Sequence, residues 1–143
     1  MDFQAENLKK FRRSDGHFVF FKEEQKTEDI ANLLQRSDAL VMFSNYETFG
    51  IVCAEALACG TPVIISNNTG SKELVKNGIN GFIIETGDTG ELMDKINYFY
   101  NNRELIPAFG KRATESVNNY GWENYYKNTI KTINQINSKQ NKN

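Results

Sequence analysis

The sequence is poor in the residues that build metal sites and disulfide frameworks. Its 143 residues include one histidine, His17, and two cysteines, Cys53 and Cys59. The cysteines are six positions apart in one predicted helix and its end, a spacing that does not bring both sulfurs onto one face. We therefore expect two reduced core thiols, no metal ion and no bound cofactor.

Long apolar runs and a large excess of one charge are also lacking. No apolar run approaches the roughly 20 residues of a membrane-spanning helix, and the polar start of the chain does not resemble a signal peptide. A formal net charge of -1 and a pI near 5.9 give no broad positive field for nucleic acid or an anionic membrane. These absences predict a cytoplasmic protein with no transmembrane segment and no nucleic-acid partner.

Short apolar runs alternate with segments of helical periodicity through the first two thirds of the chain. The apolar runs predict four buried strands, at residues 18–21, 39–43, 62–65 and 81–84. Helical spacing between them is carried by Ile30, Leu33 and Leu34 after Thr27, by residues 52–57, and by Leu74 and Val75 after Ser71. Strand, helix, strand repeated three times predicts an α/β fold, with a parallel sheet and flanking helices.

The last third of the chain has a wholly helical pattern. Two apolar stripes predict two helices, the first formed by Leu92, Ile96, Phe99 and Tyr100 and the second by Leu105, Phe109 and Ala113. A final helix is predicted from Trp122 to about Ile136, followed by a disordered tail at residues 138–143, which has no apolar residue to bury. Residues 1–137 are thus expected to form one domain.

The segment most suited to chemistry follows the second apolar run and reads SNYETFGIVCAEALACG, residues 44–60. In an open α/β sheet, ligands bind beyond the carboxyl ends of the strands, where this segment begins. Gly50 lets the backbone turn into the next helix, which leaves the amides of Gly50, Ile51 and Val52 without intrahelical partners. Together with the positive end of the helix dipole, these amides form a candidate phosphate site.

Two carboxylates flank this turn. Glu47 lies in the loop and Glu55 lies about one turn into the helix, so they would face different parts of a ligand above the helix start. A carboxylate accepts two hydrogen bonds at once, which suits adjacent hydroxyls of a sugar or ribose. On spacing alone, an equally good interpretation makes Glu47 a solvated loop residue and Glu55 a partner of the helix dipole.

The motif as a whole resembles the signature of retaining glycosyltransferase family 4, the glycosyltransferase group 1 type. The matching residues are Ser44, the pair Glu47 and Glu55, which match the E-x7-E motif, the Phe49-Gly50 turn, and the run at 56–64. The Thr69-Gly70 turn with Glu73 and the segment 77–82 also resemble family features. On its own, Glu73 is more simply explained as a capping carboxylate near a helix start.

The resemblance implies a Rossmann-like domain that forms the C-terminal half of a GT-B enzyme and binds a nucleotide diphosphate sugar, usually without a metal. It implies that Glu55 binds the ribose hydroxyls and that Glu47 acts at the transferred sugar. Backbone amides of residues 49–52, namely Phe49, Gly50, Ile51 and Val52, would bind the diphosphate and the sugar. Ser44 and Asn45 are further candidates for substrate binding.

The resemblance also implies two features that we do not find in the sequence. A helix predicted at residues 4–13 has no strand before it, so we expect the first strands of such a domain and their basic diphosphate ligands to be missing. We expect the N-terminal Rossmann-like domain that holds the acceptor to be missing as well, which leaves the acceptor unknown and predicts an isolated chain without activity. A non-catalytic nucleotide-binding module or partner subunit, and a sugar-nucleotide epimerase or phosphorylase, remain as alternatives.

Overall fold

The computed structural model describes residues 26–118 and 120–140. The chain divides into two compact units, residues 1–30 and residues 31–143. Of the first unit the structure describes only residues 26–30, the region in which the first helix begins. The strand predicted at 18–21, the helix predicted at 4–13 and His17 lie outside the described residues.

The described part of the second unit contains a three-stranded parallel sheet in the order β1-β2-β3. The strands are β1 (Leu40–Met42), β2 (Val63–Ser66) and β3 (Gly81–Ile84). All four residues of β2 are buried, because β2 pairs with β1 on one side and with β3 on the other. Val41 of β1 is exposed, since no strand among the described residues pairs with the outer edge of β1. Three of the four predicted strands are therefore confirmed.

Five α-helices accompany the sheet in the described ranges, and their bounds follow the predicted periodicity. They are α1 (Thr27–Gln35), α2 (Ile51–Ala58), α3 (Thr89–Asn101), α4 (Ile106–Val117) and α5 (Trp122–Gln140). The α2 helix connects β1 to β2 and packs against α4, while α3 packs on β2 and β3. The α/β class with a parallel sheet and flanking helices is confirmed.

An aromatic cluster, formed by Phe82, Tyr98, Phe99 and Phe109, joins β3 to α3 and α4. The Phe82 and Phe99 ring centroids are 5.4 Å apart and those of Phe99 and Phe109 are 5.2 Å apart, in tilted and edge-to-face arrangements that aromatic rings favour. The three phenylalanines are buried with Ile64 and Ile84, whereas Tyr98 lies at the rim. Of the predicted α3 stripe, Phe99 enters this core while Ile96 and Tyr100 are exposed.

The connection from β2 to β3 differs from the prediction. In place of an α-helix that begins after Ser71 and includes Val75, the chain forms a five-residue 3-10 helix, Gly70–Leu74, and Val75 is extended. The Asn80 side chain explains the stop, because its amide donates to the Leu74 carbonyl and its oxygen accepts from the Lys76 amide. Backbone groups that would continue a helix are thereby satisfied by a side chain.

The last helix is also longer than predicted. It continues to Gln140 instead of ending at about Ile136, so residues 138–140 of the predicted disordered tail are helical. The i, i+4 pair of Glu123 and Lys127, at 2.9 Å, contributes to this exposed helix. Residues 141–143 lie outside the described residues.

Candidate functional site

Two loops meet at the carboxyl ends of β1 and β2, and we name residues 44–50 and 67–71 together the loop pair. Backbone hydrogen bonds join the two loops: the Glu47 amide donates to the Asn68 carbonyl at 3.2 Å, and the Gly70 amide donates to the Glu47 carbonyl at 3.0 Å. The Ser71 amide donates to the Phe49 carbonyl at 2.8 Å. The loop that contains Glu47 is therefore held in place by main-chain bonds to the loop that follows β2.

Gly70 allows this close contact between the loops. A Cβ atom at this position would overlap the carbonyl oxygen of Thr48 and lie 3.1 Å from the Cα of Phe49. Because the obstacle is backbone, it cannot be relieved by rotating a side chain. The Thr69-Gly70 turn noted in the sequence thus has a structural reason, which is the approach of one loop backbone to the other.

Gly50 turns the chain into α2, as the sequence predicts. Its φ and ψ of 73° and 61° lie in the left-handed region that favours glycine, and a Cβ there would lie 3.0 Å from the Met42 sulfur. Helix α2 then begins at Ile51 without a side-chain cap. Among the backbone hydrogen bonds of the described residues, none has the amides of Gly50, Ile51 or Val52 as donor. These amides are available to an anion at the helix start.

Glu47 is half-buried beside this turn. Its carboxylate oxygen Oε1 lies 3.4 Å from the Phe49 amide, at the long end of hydrogen-bond distances, so that contact is weak. Its backbone is paired with Asn68, Thr69 and Gly70 on the neighbouring loop. The backbone on both sides of the Glu47 carboxylate is therefore fixed, while the carboxylate itself stays partly open to solvent.

Glu55 is half-buried on α2, one turn after Ile51. Within the described ranges, its carboxylate forms neither a side-chain hydrogen bond nor an ion pair, and its backbone carbonyl accepts from the Cys59 amide. The acceptor sites of this carboxylate are therefore free for the hydroxyl groups of a ligand. The alternative role as a partner of the helix dipole is compatible with the same position.

The remaining predicted residues lie in the same loop. Ser44 is half-buried at the end of β1, and the Asn45 carbonyl accepts a hydrogen bond from the Asn68 side chain at 3.3 Å. Asn68 therefore binds the backbone on both sides of Tyr46, whose side chain is 77% exposed. Phe49 is also largely exposed, so the loop presents aromatic surface beside the two carboxylates.

A buried polar cluster lies beneath the loop pair. Burial raises the pKa of the Cys53 thiol, an effect that the Ser71 hydroxyl opposes and the Glu47 charge reinforces. Both cysteines are free; Cys53 is buried as predicted, and Cys59 is half-buried. The hydroxyls of Ser66, Thr69 and Ser71 are buried and make no hydrogen bond of good geometry with the described residues. Buried hydroxyls of this kind are unusual and mark a place where polar contacts are incomplete.

The structure also has an apolar cleft of about 230 Å³ away from the loop pair. It lies beside β1, near the amino end of that strand, and is lined by Val41, Ile64, Ile96, Phe99 and Tyr100, with the ion pair of Asp38 and Arg103 at 2.8 Å. Its lining supplies few groups that would recognise a phosphate or a sugar. We therefore place the candidate site at the loop pair, where the amides and carboxylates lie, and not at this cleft.

The sequence did not single out Asn68, whose side chain donates to the Asn45 carbonyl and whose own carbonyl accepts from the Glu47 amide. Nor did it single out Met42, whose sulfur lies beside Gly50. Contacts between residues that are distant along the chain leave no periodic signal, so only the structure identifies them. The two glutamates, by contrast, were assigned a role from the family resemblance, since their spacing alone left that role open. Among the described residues no helix is long and apolar enough to cross a membrane.

The comparison with known proteins agrees with this geometry. The sequence model of the family described as glycosyl transferases group 1 matches residues 4–116, which is most of the chain. The chain belongs to this family of glycosyltransferases. Its membership rests on a match that includes both loops of the loop pair and the whole described sheet.

Individual relatives give named likenesses. The chain is 38% identical over 92 residues to N-acetyl-alpha-D-glucosaminyl L-malate synthase of Bacillus anthracis, which covers 64% of this chain and 24% of that protein. A solved sucrose-phosphate synthase from Thermosynechococcus elongatus aligns with a TM-score of 0.72 and 28% identity, covering 87% of this chain and 31% of that one. The chain spans about a quarter of the length of the curated relatives it matches.

A further solved structure holds a nucleotide sugar. It is Anabaena HepE in complex with UDP-glucose, and it aligns with a TM-score of 0.66 and 26% identity over 82% of this chain and 32% of that chain.

Proposed function

We propose that this chain is the donor-binding, C-terminal half of a retaining family 4 glycosyltransferase of the GT-B type, which takes a sugar from a nucleotide diphosphate sugar. The observation that carries the proposal is the arrangement at the loop pair: unpaired amides at the start of α2 between two half-buried carboxylates. A diphosphate matches the amides, and the hydroxyls of ribose and sugar match the carboxylates.

In this proposal the donor lies across the start of α2. The diphosphate accepts hydrogen bonds from the amides of Gly50, Ile51 and Val52, and Glu55 accepts hydrogen bonds from the ribose. Fixed backbone donors suit this task because they need no rearrangement when negative charge develops on the leaving diphosphate. The Glu55 carboxylate has no side-chain partner among the described residues, which supports the ribose assignment because its acceptor sites are free for hydroxyl groups.

Glu47 is assigned to the sugar end of the donor. Its position ahead of the helix and its fixed backbone support contact with the sugar being transferred. If its contribution falls on the transition state, Glu47→Gln in a complete enzyme lowers the turnover number and leaves nucleoside diphosphate affinity nearly unchanged. An unchanged turnover number would remove Glu47 from the mechanism.

That the transferred sugar is of the hexosyl type and that the protein is cytoplasmic stay predictions of the sequence. An N-terminal Rossmann-like half is proposed to supply the acceptor wall of the cleft. Without that wall, the acceptor hydroxyl is not positioned against the donor carbon, and positioning of this kind is worth about 7–11 kcal/mol in favourable cases. We therefore expect this chain alone to bind a nucleotide but not to transfer sugar. Detection of a glycosylated product by mass spectrometry with the isolated chain would contradict this.

The test of the site is calorimetric titration of the 143-residue chain with UDP, GDP and ADP. Glu55→Ala should weaken binding about tenfold or more, because a hydrogen bond to a charged group is worth about 1.5–3 kcal/mol. Glu115→Ala, which removes an exposed glutamate on α4, is the matched control and should bind like the wild type. Equal affinities of all three proteins would contradict the ribose assignment, and no binding by the wild type would contradict donor binding altogether.

A further inference from the structure

The loops around the candidate site carry an unbalanced set of charges. Between Ser44 and Leu74 the sequence has three acidic residues, Glu47, Glu55 and Glu73, and a single basic residue, Lys72. A diphosphate brings further negative charge to this surface. The helix dipole supplies the equivalent of about half a positive charge, which is less than the charge of a diphosphate. A cation close to the start of α2 would offset the remaining charge of a bound diphosphate.

The backbone places Lys72 next to that helix start. The preceding residue, Ser71, donates its amide to the Phe49 carbonyl at 2.8 Å, and Phe49 leads directly into the Gly50 turn. Ser71 is buried, and its hydroxyl faces the Cys53 thiol in the first turn of α2. Backbone and side chain of Ser71 therefore both hold the segment that carries Lys72 against the start of α2.

The Lys72 side chain is available for such a role. It is exposed, and its ammonium group donates to the Asn67 carbonyl at 2.9 Å. No carboxylate of the described residues forms an ion pair with it. An ammonium has three donors on a flexible stem, so two remain after the bond to Asn67. Losing the hydrogen bond to the neutral Asn67 carbonyl costs little free energy compared with forming a hydrogen bond to a charged phosphate oxygen.

We propose that Lys72 binds the diphosphate of the donor. Its ammonium group contacts phosphate oxygens on one side of the diphosphate, and the amides at the start of α2 contact the other side. This inference rests on the proposed function and adds to it a side-chain ligand from the loop after β2. Lys72 directly follows the second loop of the loop pair, so the charge of the leaving diphosphate is compensated from within this half of the cleft.

The experiment compares Lys72→Gln, Lys72→Arg and the control Lys76→Gln by titration with UDP, UMP and uridine at low and high salt. Lys76 is a suitable control because it is an exposed lysine four residues away. Its hydrogen bond to the Asn80 side chain is made by the backbone amide, which Lys76→Gln leaves unchanged. Lys72→Gln should weaken UDP binding about fivefold or more, weaken UMP binding less and leave uridine unaffected. The loss should shrink at high salt, and Lys72→Arg should restore most of the affinity.

Other outcomes overturn the inference in distinguishable ways. Equal UDP affinity of Lys72→Gln and wild type would remove Lys72 from the site while leaving the proposed function standing. An equal loss for UDP and uridine would show a structural effect instead of phosphate contact. No UDP, GDP or ADP binding by the wild type would contradict the proposed function and this inference together.

Discussion

The aromatic cluster and the loop pair are held together by different forces. In the cluster, Phe82, Phe99 and Phe109 pack ring against ring, so stability comes from apolar side chains removed from water. At the loop pair, stability comes from main-chain hydrogen bonds and from a glycine that lets two backbones touch. One region fixes the fold, and the other leaves amides and carboxylates exposed to a ligand. The difference predicts that stability and nucleotide binding can be disturbed separately.

Truncation in the aromatic cluster should have the largest effect on stability. Phe99→Ala is expected to lower the free energy of unfolding by about 3–5 kcal/mol, because it removes a buried ring and leaves a cavity. The neighbouring Tyr100→Ala, on the exposed side of α3, should cost about 0.5 kcal/mol. Urea unfolding of the wild type, Phe99→Ala and Tyr100→Ala measures these free energies of unfolding. Similar losses for both variants would show that the cluster is not the core of the domain.

Substitution at the loop contact should act mainly on binding. Gly70→Ala places a Cβ against the Thr48 carbonyl and should cost about 1–3 kcal/mol of stability, as overpacking does. Because the two loops must move apart to make room for the added Cβ atom, we expect UDP affinity to fall more than tenfold. This loss of affinity should be larger than that of Phe99→Ala, measured under conditions in which Phe99→Ala is folded. Gly121→Ala, where a Cβ meets no atom within 4 Å, is the control. Unchanged UDP affinity in Gly70→Ala would separate the loop contact from the site.

The smallest expected effect concerns the thiol beneath the loops. Burial raises the pKa of Cys53, so the folded chain holds the thiol proton more tightly than the unfolded chain does. The resulting stabilisation is fully present below the unfolded thiol pKa, about 8.5, and is lost as the pH rises through the higher folded value. The stability difference between wild type and Cys53→Ala should therefore narrow between pH 7 and pH 10.

Thiol labelling of the native chain measures how firmly the loop pair covers Cys53. The half-buried Cys59 should react with a thiol reagent before the buried Cys53. Cys59→Ser and Cys53→Ser variants assign each reaction phase to its residue. Faster labelling of Cys53 would mean that the loop pair opens readily, and the main-chain contacts would then not hold the site.

The sequence predicted what depends on periodicity and spacing. Three strands, α2 beginning after Gly50, and the stripe that buries Phe99 follow from apolar patterns that tertiary packing reinforces. The helix expected after Ser71 failed because Asn80, a residue farther along the chain, hydrogen-bonds the backbone at Leu74 and Lys76. The bonds of Asn68 to the Glu47 loop were missed for the same reason: contacts between distant loops do not appear in a local pattern.

The most direct test of the account is an NMR titration of the 143-residue chain with UDP, following backbone amide resonances. If the donor lies across the start of α2, the largest shifts should fall on Gly50, Ile51 and Val52, with smaller ones at Glu55 and in residues 68–72. Glu55→Ala should weaken these shifts without abolishing the folded spectrum. Shifts confined to the apolar cleft around Val41 and Arg103, or to neither region, would contradict the assignment of the loop pair as the nucleotide-binding site.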